Sequence, residues 1–127
     1  MSVTLVLDTT AATAYSRESI AVGELIGVIS DDHDTIVLPA VCLAEAAALA
    51  TDDELAMLNV LASLPGVAVT PFEPSTAIAI GIHTAVAGSL GLATAAREAV
   101  VFDAQLATVD VEAARKALPD DWTVVEI

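Results

Sequence analysis

Short apolar runs that stop abruptly alternate along this chain with longer, Ala-rich stretches. The first run, Val3-Thr4-Leu5-Val6-Leu7, ends on Asp8, Thr9 and Thr10. A continuous apolar run of that length with a polar stop predicts a strand covered on both faces. Four further segments share its brevity and β-branched content: residues 35–38 before Pro39, residues 67–70 before Pro71, residues 105–109 before Asp110, and residues 123–127. The stretches between them predict helices. Residues 10–30 form one, broken near Arg17-Glu18-Ser19 or at Gly23, and residues 40–50 form another with Pro39 as the expected first helical residue. Thr51 with Glu54 three residues later reads as a capping box for a helix reaching about Ser63. Pro74-Ser75 starts the next; Gly88 and Gly91 separate it from a helix over residues 92–102, and residues 111–117 form the last.

Strands alternating with helices predict an α/β domain in which a parallel sheet is covered on both faces. At 127 residues the chain is read as a single domain, residues 1–127, without repeats. Hydrophobic residues make up 56% and charged residues 17%, a folded, core-rich composition. Residues 37–50 and 77–96 are the most apolar segments, but they are Ala-rich and interrupted by Glu45, His83 or glycine, so they are read as buried helices and not as membrane spans. With neither a basic leader nor a small-residue cleavage site, the expected location is cytoplasmic, and the single Cys42 agrees with a reducing compartment.

Charge changes the picture further. Eighteen acids face four bases, Arg17, Arg97, Arg115 and Lys116, for a formal net charge of −14. Proteins that grip nucleic acid draw most of their affinity from neutralised phosphates, and this chain has almost nothing from which to build a basic face. Either it does not hold nucleic acid strongly alone, or metal ions and a basic partner supply the positive charge. The same acids also keep an apolar, Ala-rich domain from associating.

Three acids stand where a solvated surface explains them poorly. Asp8 and Asp110 each follow a predicted strand, and the carboxyl ends of parallel strands share one edge, the usual place of a site in such sheets. Each alone also suits an N-cap after a strand. Glu45 lies within Ala40-Val41-Cys42-Leu43-Ala44-Glu45-Ala46-Ala47-Ala48, where every neighbour is apolar. Carboxylates gathered without a Lys or Arg repel one another, a problem that a divalent cation removes; oxygen donors suit Mg²⁺ or Mn²⁺. One Cys and two distant His residues do not make a zinc site. His33, within Asp31-Asp32-His33-Asp34, reads as a solvated loop residue, His83 as a packed histidine, and Cys42 as a small core residue.

Leu5-Val6-Leu7-Asp8-Thr9-Thr10 resembles the opening of PIN domains, a hydrophobic strand, an Asp and, two residues on, a Ser or Thr. Leu38-Pro39-Ala40-Val41-Cys42-Leu43-Ala44-Glu45 is similar to that family's second motif, and Ala104-Gln105-Leu106-Ala107-Thr108-Val109-Asp110 to its late strand ending in Thr-x-Asp. The resemblance implies a three-layer α/β/α sandwich with a five-stranded parallel sheet and an acidic metal pocket at its carboxyl edge. It further implies Asp8, Glu45 and Asp110 as catalytic residues and ligands of Mg²⁺ or Mn²⁺, with Thr10 and Thr108 orienting the acids. Many members, the VapC-like toxins among them, are ribonucleases, commonly homodimeric and paired with a small antitoxin whose basic tail would suit this acidic surface. One departure stands out. The family usually carries a further Asp at the start of the helix before the late strand, and here Gly91 stands in that place. Asp103 lies at the wrong end of that helix to replace it, while Glu112 is near enough to swing in. Two expectations follow: a metal-dependent ribonuclease, or a PIN-fold protein with weakened catalysis that acts as a protein-binding module. A response-regulator-like receiver would need paired acids after the first strand and a late Lys, and the chain has neither.

Overall fold

The computed structural model describes residues 2–127. Five strands, β1 (Val3–Leu7), β2 (Thr35–Pro39), β3 (Val67–Thr70), β4 (Gln105–Thr108) and β5 (Val124–Glu126), form one sheet in the order β3-β2-β1-β4-β5. Every neighbouring pair is parallel, with Val6 level with Val37 and Leu106, and Leu38 level with Val69. Seven helices flank it among the described residues: α1 (Thr9–Ser16), α2 (Ile20–Asp31), α3 (Ala40–Ala48), α4 (Asp52–Ser63), α5 (Ala77–Ala87), α6 (Leu90–Phe102) and α7 (Val111–Ala117). The protein is a three-layer α/β/α sandwich, the class the sequence predicts.

Strand position explains strand composition. The central strands carry Leu5, Val6, Leu7, Ile36, Val37, Leu38, Leu106 and Ala107, all buried, whereas β3 and β5 at the sheet edges are only half-buried. Each large aliphatic side chain so buried contributes about 1.5–3 kcal/mol. The alanines have a use in this arrangement. Ala93, Ala95, Ala96 and Ala99 let α6 lie close against the core along one continuous face.

Local boundaries follow caps more closely than composition. The helical stretch after β1 breaks at Arg17-Glu18-Ser19 as expected, with Glu18 at φ 63° and Ser19 capping α2. Thr51 and Glu54 form the expected reciprocal capping box of α4. Pro39 is not the first helical residue. It ends β2 opposite Thr70 and precedes α3 in extended conformation (φ −60°, ψ 137°), which a proline adopts as readily as a helical one. Gly91 does not separate two helices either. The Ser89 hydroxyl accepts from Leu92 N–H at 3.1 Å, so α6 starts at Leu90 and includes Gly91, and Gly88, at φ 88°, alone makes the break.

Residues 77–96 are not uniformly buried. In α5 only one side packs against α6, and Ile78, Ile82 and Val86 are 81%, 72% and 59% exposed. No helix among the described residues is long and apolar enough to cross a membrane by itself; α5 with its preceding turn and α6 match a span only together, and they are bent by 112°.

Candidate functional site

Asp8 follows β1 directly and is the N-cap of α1, so the strand's path fixes its carboxylate at the carboxyl edge of the sheet. Its Oδ1 accepts from Ala11 N–H at 2.9 Å and from the Thr10 hydroxyl at 2.7 Å. Only 2% of the residue is exposed. Burial pushes its pKa above the ordinary carboxylate value, against hydrogen bonds from Thr108, Thr10 and the Ala11 N–H that favour the ionised form.

Asp110 follows β4 and caps α7, its Oδ1 accepting from Ala113 N–H at 3.1 Å. Unlike Asp8 it is exposed. Its own N–H donates to the Thr108 hydroxyl at 3.1 Å, and Val109 N–H donates to the Thr10 hydroxyl at 2.9 Å. The ends of β1 and β4 are thereby stitched together. Asp8 and Asp110, from opposite ends of the chain, line one cleft of about 320 Å³ with Thr9, Thr10, Ser89 and Leu92.

Glu45 is held at the border of that cleft. The Thr9 hydroxyl donates to its Oε1 at 2.6 Å and the Gly91 N–H to its Oε2 at 3.2 Å. An acid in an apolar helix is thus satisfied by neutral donors at the starts of α1 and α6. Next to it, Cys42 is fully buried and its thiol donates to the Gly91 carbonyl at 3.2 Å. Desolvation, with a smaller repulsion from Asp8, Glu45 and Glu98, pushes that thiol up to about 12.

Bases stay away from these acids. The ion pairs among the described residues are Arg17 with Glu54 at 2.8 Å and Lys116 with Glu112 at 3.9 Å. Glu112, the nearest substitute for an acid at position 91, is exposed and turned along α7 toward Lys116; Asp103 caps the far end of α6. Among the described residues no three His, Cys, Asp or Glu side chains are grouped so that they could hold a metal ion. Asp8 and Asp110 are two carboxylates lining one cleft with no Lys or Arg among the described residues paired to them, and carboxylate oxygens are the donor type a hard divalent ion takes. Each oxygen of Glu45 accepts one hydrogen bond and keeps a further lone pair, but as the side chains stand Glu45 is not grouped with Asp8 and Asp110 into a three-carboxylate metal site.

Two residues of this region escaped the sequence reading. Thr9 lies within the first motif, but its partner Glu45 is 36 residues away and nothing local names it. Glu98 on α6 accepts from the Thr70 hydroxyl at 2.9 Å and is half-buried, its pKa raised by burial. An acid among the mostly small and apolar residues 90–102 was the available signal, weaker than that of Glu45 because Arg97 adjoins it. A cavity of about 580 Å³ lies instead at the amino ends of β2 and β3, lined by Tyr15, Ile26, Gly27, Ser30, Thr35 and Leu64. His33, beside it, is exposed as expected. Neither a protein-family model nor a curated protein matches the chain.

Proposed function

We propose that this protein is a Mg²⁺- or Mn²⁺-dependent ribonuclease of the PIN type, hydrolysing RNA phosphodiesters as the toxin-like member of a toxin–antitoxin pair in the cytoplasm. The observation that carries the reading is the pair Asp8 and Asp110. They come from the ends of adjacent parallel strands, share one cleft, and have no Lys or Arg paired with them. That edge is where ligands of parallel sheets bind.

In this reading Asp8 and Asp110 would hold the ion, and the ion, when bound, polarises the phosphodiester and lowers the pKa of the attacking water. Thr10 orients the Asp8 carboxylate, and Thr108 fixes the main chain at Asp110. Glu45, hydrogen-bonded to Thr9, adds negative charge beside the cleft. A chain of net charge −14 repels RNA, so binding of the backbone depends on the ion, and a basic antitoxin tail complements the same surface. The PIN resemblance also carries a homodimer, to which the exposed face of α5, free of Asp, Glu, Lys and Arg, is suited.

The test is cleavage of a mixed RNA pool by the purified protein with Mn²⁺. Asp8→Asn and Asp110→Asn are each expected to abolish cleavage while the protein stays folded, and a folded, fully active variant overturns the assignment. A second reading, a PIN-fold module with weakened catalysis, draws on Gly91, which supplies no carboxylate, and on the three acids not being grouped as a metal site among the described residues. A sharp gain in Mn²⁺ affinity or cleavage in Gly91→Asp supports that reading.

A further inference from the structure

Gly91 is the second residue of α6, preceded by the Ser89 cap. Of the glycines, only Gly88 has a positive φ, so the backbone at position 91 does not require glycine. In a helix, glycine is less favourable than alanine. The need for it lies in the space around it. A Cβ at this position would overlap Glu45 Oε1 and Thr9 Oγ1 and stand 2.9 Å from Glu45 Cδ. All three are side-chain atoms of the hydrogen-bonded Thr9–Glu45 pair.

We infer that the Glu45 carboxylate, delivered from α3, takes the place of a side chain at position 91, and that Thr9 is the positioning residue that keeps it there beside the cleft. Any side chain at 91 would push the Glu45 carboxylate and the Thr9 hydroxyl out of this arrangement. Three hydrogen bonds define it. Thr9 Oγ1 donates to one carboxylate oxygen and the Gly91 N–H to the other. That N–H is among those a helix leaves unpaired at its start, where the helix dipole also favours an anion. The Gly91 carbonyl takes the Cys42 thiol, which locks α3 against α6 at the level of Glu45. Thr9 itself adjoins Asp8 and lines the cleft, so its hydroxyl joins the border acid to the candidate ion site. The consequence for ion binding rests on the function proposed above; the packing relationship does not.

A double-variant cycle on the full chain separates the two. By thermal unfolding, Gly91→Ala is expected to lower Tm in the native background, because Glu45 and Thr9 must move, and to raise it in a Glu45→Ala background, where the space is free and alanine favours the helix. An equal shift in both backgrounds overturns the inference. By Mn²⁺ titration, Glu45→Ala and Gly91→Ala should each weaken binding roughly tenfold, the double variant no more than Glu45→Ala alone. Thr9→Val should weaken it comparably, with Thr9→Ser restoring affinity to within about threefold of the native chain, as a positioning hydroxyl does and a merely space-filling residue does not. Native affinity in Thr9→Val and Gly91→Ala overturns the positioning role. Coupled Tm shifts in a protein that binds no Mn²⁺ sustain the packing relationship and contradict the ribonuclease reading.

Discussion

The hydroxyl oxygens of Thr10 and Thr108, 98 residues apart in sequence, lie 3.2 Å from each other at the ends of β1 and β4. Thr10 donates its single proton to Asp8, so Thr108 is left to donate to Thr10 or to Asp8 while accepting from Asp110 N–H. The two hydroxyls join both acids to both strand ends. Thr10→Val leaves the Val109 N–H and the Asp8 carboxylate each short of a partner, and is expected to cost about 1–3 kcal/mol in denaturant unfolding. Thr10→Ser, which keeps the oxygen, should cost clearly less.

Asp8 makes stability depend on pH with a defined sign. Its folded pKa is raised, chiefly by burial, so the native state keeps its proton to higher pH than the unfolded chain does. The stability this contributes is fully present below the unfolded value, near 3.8, and is lost as pH rises through the raised folded value. Asp8→Asn retains an N-cap and removes the buried charge. It should unfold at higher temperature than the native protein at neutral pH, with the difference shrinking toward pH 4. Thermal melts across that range check it.

The exposed apolar face of α5 contributes little to the fold of one chain. Ile82, 72% exposed, should tolerate Ile82→Lys with a change of less than about 0.5 kcal/mol in the monomer, measured at a protein concentration low enough to dissociate any dimer. Leu106, buried at the centre of the sheet, should lose about 2–5 kcal/mol on Leu106→Ala. Urea denaturation of the two variants distinguishes a face outside the core from the core itself.

Cys42 should be inert in the folded protein. Its thiol is fully buried, donates to Gly91 and is held up to about 12, so almost no thiolate is present at pH 8. A thiol-reactive probe is expected to label it only when denaturant unfolds the chain; rapid labelling of native protein contradicts this packing.

The parts of the fold readable in advance were those fixed locally. The apolar runs that became the sheet, the break at Arg17-Glu18-Ser19 and the capping box at Thr51 each carry their signal within a few residues. Pro39 and Gly91 misled because each is a strong punctuator overridden by its setting: Pro39 by strand pairing with Thr70, Gly91 by the Ser89 cap and the carboxylate of Glu45. α5 misled because hydropathy does not tell a buried helix from one with an uncovered face. At the candidate site, Asp8 and Asp110 were legible from strand ends alone. The engagement of Glu45 by Thr9 and Gly91 was not, since it depends on contacts spanning 36 and 46 residues.

The central claim is that Asp8 and Asp110 form an ion site. A calorimetric titration of metal-free protein with Mn²⁺, run beside Asp8→Asn and Asp110→Asn, tests it most directly. Saturable binding in the native chain, lost in either variant, is the predicted result. Absence of binding in the native chain, or binding unchanged in both variants, would contradict it.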